Sequence, residues 1–242
     1  MKIALFILVG VLLLIFLVYT ISALIVNPHK QYTKNSRYYR FLLNLATGMV
    51  LRAVRLKVHK SGWDKIPRDG RFLLVCNHRS NFDPIINWYI MQEYDIAFIS
   101  KAANFKVPWF GRFIRRCCFL EIDRENPRNA MKTIIKAAEL LQNNEVSVGV
   151  YPEGTRSKSG ELLAFHNGVF KIAQKSGVPV VVAAISGAED IHKNFPLHGT
   201  QVCFDIIETI PAEEVTAIRT DELADRAYTL IKDKLSECTR RT

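Results

Sequence analysis

His78 and Asp83 are the residues of this chain best placed to move a proton. They stand at the two ends of Asn77-His78-Arg79-Ser80-Asn81-Phe82-Asp83, directly after an apolar run and directly before a helix start at Asp83-Pro84. A separation of five residues puts the two side chains about 140° apart on a straight helix and on opposite faces of a straight strand. They meet only where the chain bends, and the polar Arg79-Ser80-Asn81 stretch permits the bend. A carboxylate on one ring nitrogen fixes the tautomer and stabilises the imidazolium, leaving the other nitrogen as a base near neutral pH. The pair also admits a structural reading, with Asp83 as the N-cap of the helix at Pro84 and His78 as a turn residue. A carboxylate has oxygens enough for both tasks.

A second polar segment, Tyr151-Pro152-Glu153-Gly154-Thr155-Arg156-Ser157, again follows an apolar run. Proline followed by Gly154 gives a tight turn that backbone and ligand can share closely, Glu153 offers an acceptor for hydroxyls, and Arg156 offers a planar fork for phosphate. Arg124 closes a third such run at Ile122-Asp123-Arg124, and Lys101 follows a fourth that ends at Ser100. Each of these cations, taken alone, reads equally as a solvated loop charge or the partner of a nearby carboxylate. Together they suggest a basic pocket for a phosphorylated substrate beside a general base.

The elements that must position these residues follow from short apolar runs alternating with helical segments. The runs are 54–58, 72–76, 96–100, 118–122, 146–151, 180–185 and 202–207. Asp83-Pro84 and Asn126-Pro127 pair a capping residue with proline at the first helical position. A last helix over 221–235 carries acids in its first turn and lysines near its end. The alternation predicts an α/β domain with a mainly parallel or mixed sheet flanked by helices, its site at the strand ends.

Ahead of that domain, residues 3–26 hold 21 apolar side chains and no charge. As a helix this block is about 36 Å long, enough to cross a hydrocarbon core of about 30 Å with some tilt. A secretory signal peptide is the rival reading, but only Lys2 precedes the run and the run exceeds the usual ~7 to 15 residues. Lys30, Lys34, Arg37 and Arg40 follow it, which by the positive-inside rule places the remainder in the cytoplasm. Residues 41–51 are apolar but too short to span. They suit a helix lying in the headgroup region or, equally, one packed on the following domain. The expected organisation is an anchor at 1–26, a basic juxtamembrane segment with an interfacial helix at 27–52, and the α/β domain at 53–242. With 33 Lys+Arg against 23 Asp+Glu the chain carries a net charge of +10, and 49% of it is apolar. Whole-chain disorder and a small disulfide scaffold are thereby excluded. The five cysteines, 76, 117, 118, 203 and 238, show no zinc-like spacing and read as reduced thiols.

The combination resembles the membrane-bound glycerolipid acyltransferases, most closely the bacterial 1-acylglycerol-3-phosphate acyltransferases. These carry an NHxxxxD block, here Asn77 to Asp83, and an arginine block at a strand end, here Ile122-Asp123-Arg124. They also carry a [FY]PEGTRS block, here Tyr151 to Ser157, and a VPxxP block, here 178–182. Val182 replaces the second proline of the last block, and His166 stands where a lysine is common. The resemblance implies direct acyl transfer from an acyl thioester, on acyl-CoA or acyl carrier protein, to the free hydroxyl of a lysophosphatidate, with no bound cofactor. It implies that His78 takes the hydroxyl proton and Asp83 holds His78. Arg124 and Arg156 would take the phosphate, while Glu153, Gly154 and Thr155 would shape the acceptor pocket.

The residues themselves agree with a route that needs no covalent nucleophile, since no GxSxG elbow exists and Cys76 falls inside an apolar strand as a core thiol. The six histidines are scattered and no metal-ligand set is visible. Two other readings compete. One is an acyltransferase or transacylase acting on another lysophospholipid or on glycerol 3-phosphate. The other is a tethered module binding nucleic acid or anionic lipid, which the spread of the basic residues disfavours. The expected partners are therefore the acceptor, the thioester donor and membrane lipid, without nucleic acid.

Overall fold

The computed structural model describes residues 2–157 and 159–239; the side chains of Cys238 and Thr239 lie outside that description. In chain order the helices are α1 (Lys2–Leu24), α2 (Arg37–Ala53), α3 (Asp83–Ile90), α4 (Ala102–Phe105), α5 (Phe110–Arg116), α6 (Pro127–Gln142), α7 (Lys171–Ser176), α8 (Ile191–Asn194), α9 (Ala212–Ala217) and α10 (Thr220–Thr239). The strands are β1 (Lys57–Ser61), β2 (Leu73–Cys76), β3 (Ala97–Lys101), β4 (Leu120–Ile122), β5 (Val148–Val150), β6 (Val180–Ser186) and β7 (Gln201–Ile210). They form one seven-stranded sheet in the order β1-β7-β6-β2-β5-β3-β4. The β6–β7 pair is antiparallel and every other pair is parallel, so the sheet is mixed as expected.

Strands covered on both faces read as unbroken apolar runs, and the central ones do. Leu73 to Cys76 and Val180 to Ile185 are wholly buried. The consequence for function is geometric. β2, β5, β3 and β4 are neighbours and parallel, so their carboxyl ends share one edge of the sheet.

Two strands start later than their apolar residues suggest. α2 runs on to Ala53 and is closed by Arg55 at φ 52°, so β1 begins at Lys57 and not near Val54. β1 is an edge strand of mostly exposed polar residues, which is why apolar periodicity does not reveal it. Cys118 has φ 64° in the turn after α5, which delays β4 to Leu120. At Asn126 the expected cap forms, its Oδ1 accepting from the amides of Arg128 and Asn129 at 3.1 and 3.2 Å.

α1 exposes almost its whole length, with only Ser22 and Ala23 buried. Its carboxyl end is fastened to the domain. The Arg112 guanidinium donates to the carbonyls of Ala23, Leu24 and Val26, satisfying groups a helix terminus leaves open. Tyr19 donates to the Leu42 carbonyl at 2.7 Å, and Tyr39 donates to that of Ser22 at 2.8 Å. α2 packs one face on the domain and leaves the other exposed. Tyr39, Leu42, Leu43 and Leu51 enter the core, while Tyr38, Phe41, Leu45 and Met49 form an exposed apolar stripe. Arg40, expected as a juxtamembrane charge, is buried. It donates to the carbonyls of Asp95 and Ile96, pairs with Asp95 at 3.2 Å and lies over the Trp88 ring.

Candidate active site

The site begins with a side chain that replaces a rung of the sheet. β2 ends at Cys76, and the next residue, Asn77, is fully buried. Its Nδ2 donates to the Ile185 carbonyl at 2.9 Å and its Oδ1 accepts from the Ile185 amide at 2.8 Å. One side chain thus ties the departing chain to β6, and the backbone is free to turn. The His78 backbone is held from the other side by the loop after β5. Its amide donates to Glu153 Oε1 at 2.6 Å, and its carbonyl accepts from the Ser157 amide at 2.9 Å.

The bend between His78 and Asp83 exists and is organised by the carboxylate. Asp83 Oδ2 accepts from His78 Nδ1 at 2.9 Å and from the amides of Arg79 and Ser80, each at 2.7 Å. Phe82, not Asp83, is the N-cap of α3, and Asp83 is the acidic residue of its first turn. It gathers the loop and the imidazole onto one oxygen. With Nδ1–H committed to the carboxylate, Nε2 is the nitrogen left to take a proton. The His78 ring stacks on Tyr151 with centroids 4.4 Å apart, which fixes its plane. Tyr151 in turn accepts from Asn87 Nδ2 at 3.0 Å, and burial pushes its phenol well above the usual range, so it stays neutral. Cys76 is likewise buried and its thiol pushed well above normal by desolvation. It is a core thiol, unsuited to nucleophilic attack.

Glu153 does something its sequence context does not announce. It is 3% exposed, and while Oε1 takes the His78 amide, Oε2 takes the Leu163 amide at 2.9 Å. Each oxygen takes a backbone amide, so the carboxylate ties the His78 backbone to the loop around Leu163. Burial raises its pKa, an effect opposed by those two amides. Gly154 turns at φ 68°, and a side chain there would collide with His166, whose Cδ2 lies 2.9 Å from where a Cβ would sit. His166 is therefore packed on the turn that carries Thr155 and Arg156.

Thr155 and Arg156 are exposed on that turn, and Lys101 and Arg124 are exposed at the ends of β3 and β4. Among the described residues the side chains of Lys101, Arg124 and Arg156 have no hydrogen-bond or ion-pair partner. Lys101 pairs in register with Ile122, which sets it beside the Arg124 segment. At about 4.8 Å per strand, the ends of β3 and β4 stand about 10 and 14 Å along the edge from that of β2. The structure thus brings His78, Asp83, Glu153 and Gly154 into one connected cluster, and sets Lys101 and Arg124 along the same rim without touching it. Asn77, Tyr151 and Asn87 complete the cluster. In the sequence Asn77 stands out only as part of the NHxxxxD block, and nothing local signals Asn87.

Residues 57–186 match the family model described as Acyltransferase. The chain belongs to the acyltransferase family. The match spans the acyltransferase from β1 to β6 and takes in every residue of the cluster. Among curated relatives, the 1-acyl-sn-glycerol-3-phosphate acyltransferase of Escherichia coli (strain K12) is 27% identical over 168 residues, covering 69% of this acyltransferase and 68% of the relative. The protein of the same name from Bacillus subtilis (strain 168) is 28% identical over 211 residues, covering 82% and 99%. The crystal structure of the 1-acyl-sn-glycerophosphate (LPA) acyltransferase from Thermotoga maritima superposes with a TM-score of 0.69 at 25% identity, covering 83% of this chain and 81% of that one. The mixed sheet with its flanking helices is therefore the fold of a solved acyltransferase.

Proposed function

We propose that the protein acylates the free hydroxyl of 1-acylglycerol 3-phosphate, drawing the acyl group from a thioester on CoA or acyl carrier protein and giving phosphatidic acid. The observation that carries the reading is the His78–Asp83 contact at 2.9 Å on the rim where Lys101, Arg124 and Arg156 stand without a hydrogen-bond or ion-pair partner among the described residues. Its support from outside the chain is the name shared by the relatives in Escherichia coli and Bacillus subtilis. His78 Nε2 removes the hydroxyl proton as the oxygen attacks the thioester carbonyl carbon. The C–S bond breaks, and the imidazolium returns the proton to the leaving thiolate. Asp83 stabilises the imidazolium in between. Arg156, on the turn nearest the base, takes the acceptor phosphate, with Lys101 and Arg124 farther along the rim.

The acceptor is an amphiphile, and α1 is long and apolar enough to cross a membrane. We place α1 in the cell membrane with the catalytic domain on the cytoplasmic side. The test is a panel: detergent-purified protein with each of 1-acylglycerol 3-phosphate, other lysophospholipids and glycerol 3-phosphate, against acyl-CoA and acyl carrier protein donors. Phosphatidic acid as the preferred product supports the reading, and a preference for another acceptor replaces it. His78→Ala should lower turnover by about 10² to 10⁴-fold in a folded protein.

A further inference from the structure

Arg79 leaves the His78 loop on the side away from Lys101 and Arg124. In the sheet β6 lies on one side of β2, while β5, β3 and β4 lie on the other. β6 runs parallel to β2, so its carboxyl end lies on the same edge. Glu189 stands just past that end, and Arg79 Nη1 donates to its Oε1 at 3.4 Å. The Arg79 side chain is only 16% exposed. Its Nε is buried without a partner, and its Nη2 makes no hydrogen bond among the described residues. A guanidinium taken this far out of water ordinarily fills its fork of N–H donors, and here most of the fork is unused. The Arg79 amide is one of the donors on Asp83 Oδ2, so the side chain starts within the cluster that holds His78.

That side chain lines a cleft of about 360 Å³. Glu161 and Leu162 supply a second wall, on the loop that Glu153 holds through the Leu163 amide. Tyr228, Lys232 and Ser236 of α10 supply the third, and their spacing of four residues sets them on one face of that helix. α10 packs on β6, and Tyr228 is steadied edge-on against Phe165 with ring centroids 5.3 Å apart. Lys232 Nζ lies 5.9 Å from the centre of the Tyr228 ring, and its ammonium has no hydrogen-bond or ion-pair partner among the described residues. The lining therefore sets two cations against one carboxylate, with the Tyr228 ring and Leu162 as its apolar surface. Such a mixture suits a ligand that is partly apolar, rich in amide or hydroxyl groups and negatively charged.

We infer that this cleft takes the phosphopantetheine arm of the thioester donor, with Lys232 on the phosphate of the arm and Arg79 Nη2 on one of its amide carbonyls. The inference rests on the thioester donor proposed above. The arm is the part that CoA and acyl carrier protein share, and between thiol and phosphate it carries amides, a hydroxyl and a dimethyl carbon. Glu161 accepts from an N–H or the hydroxyl, while Tyr228 and Leu162 face the methyl groups. The placement also separates the substrates, since acceptor and donor each bring phosphate to one base. Lys101 and Arg124 stand past β5, whereas Arg79 leans toward β6. The hydroxyl and the thioester carbonyl then meet at His78 Nε2 from separate anchors, which is the positioning that transfer requires.

A donor series on the full-length, detergent-purified protein tests it, with the same acyl group carried by CoA, acyl carrier protein, 4′-phosphopantetheine and pantetheine. Lys232 is exposed, so Lys232→Gln leaves the fold intact. It should raise KM about five-fold or more for every donor that bears the phosphate, and leave KM unchanged for acyl-pantetheine and for the acceptor. Ser236→Trp fills the cleft from another exposed position and should raise KM for all four donors, again without moving that of the acceptor. The larger kcat/KM of the CoA and carrier-protein donors names the source of the arm. A Lys232→Gln penalty that persists on acyl-pantetheine, that appears with CoA but not with acyl-phosphopantetheine, or that falls on the acceptor KM overturns the inference, as does no penalty at all. Equilibrium dialysis of unacylated 4′-phosphopantetheine and pantetheine needs no acceptor. The phosphorylated form should bind wild-type protein the more tightly, and Lys232→Gln should abolish the difference; equal binding to wild type overturns the inference. Wild-type protein that acylates no lysophosphatidate defeats the acceptor reading instead, and the dialysis still decides for or against the cleft.

Discussion

Replacing Asp83 with asparagine separates two things the carboxylate does, and the hydrogen bonds around it allow the outcome to be worked out. Oδ2 receives His78 Nδ1 and the amides of Arg79 and Ser80, while Oδ1 is buried without a partner. An asparagine has one oxygen and one NH₂ to place on these two sites. Turning the NH₂ toward His78 would reverse the imidazole tautomer but would set two backbone amides against a donor, at about 1–3 kcal/mol each. The oxygen therefore stays on the three donors, the NH₂ goes to the unpartnered side, and the tautomer is kept. What is lost is the charge. Hydrogen bonds to an ionised acceptor are roughly twice as strong as neutral ones, so the fold should weaken by about 1–2 kcal/mol. For a chain of this size that is a fall in Tm of about 2–8 °C. The imidazolium formed during transfer loses its counter-charge, and a loss of about 3–4 kcal/mol there lowers turnover by about 10² to 10³-fold. The assay is initial rate in mixed micelles at saturating donor and acceptor, beside the melting curve of the same preparation. Turnover within about threefold of wild type in a folded Asp83→Asn protein would refute the reasoning, for then the charge has no part in the chemistry.

Arg156→Lys keeps the charge and loses the planar fork, so the acceptor KM should rise while the donor KM holds; Arg124→Lys is expected to do the same, and a rise in the donor KM alone would move that arginine to the donor's phosphates. Asn77→Ala strands the amide and carbonyl of Ile185, so denaturant unfolding should show a loss of about 2–4 kcal/mol, with a fall in kcat as His78, the proposed base, loses its footing. Burial pushes the thiols of Cys117 and Cys118 up to about 12 and about 11 against 9.0 for an ordinary thiol. The folded state therefore holds these protons above pH 9 after the unfolded chain has released them, and stability should fall as pH rises from 9 toward 12. A Cys117→Ser, Cys118→Ser protein should show a shallower alkaline decline, read from urea midpoints across that range.

How far this site could be read in the sequence differs from residue to residue for physical reasons. The His78–Asp83 pair is legible because its five-residue spacing demands a bend and the polar residues between supply one. The shared rim is legible because apolar runs that end in polar residues are strands feeding loops. Glu153 is not legible in the same way. Its partners are the amides of His78 and Leu163, and backbone groups carry no signature of who will receive them. Arg40 misleads for a related reason. A cation after an apolar span reads as a surface charge, yet the carbonyls of Asp95 and Ile96 and the carboxylate of Asp95 satisfy it inside. The start of β1 is hidden because an edge strand needs no apolar periodicity.

The fastening of α1 by Arg112 bears on mechanics as well as on stability. A domain on a slack chain wanders through a volume that grows with the length of the chain. Here the last carbonyls of the helix and the first turn of α5 share one guanidinium, so slack is absent at that joint. With α1 in the membrane as proposed, helix and domain form one lever whose fulcrum lies at the bilayer surface. A helix of 23 residues is about 35 Å long, more than a hydrocarbon core of about 30 Å holds upright, and it must lean. Thinner bilayers increase the lean and thicker ones reduce it, and each change of angle tips the rim that carries His78 toward or away from the leaflet. On that placement membrane thickness is expected to act as an input to the reaction, and vesicles of graded chain length should read it as a graded rate.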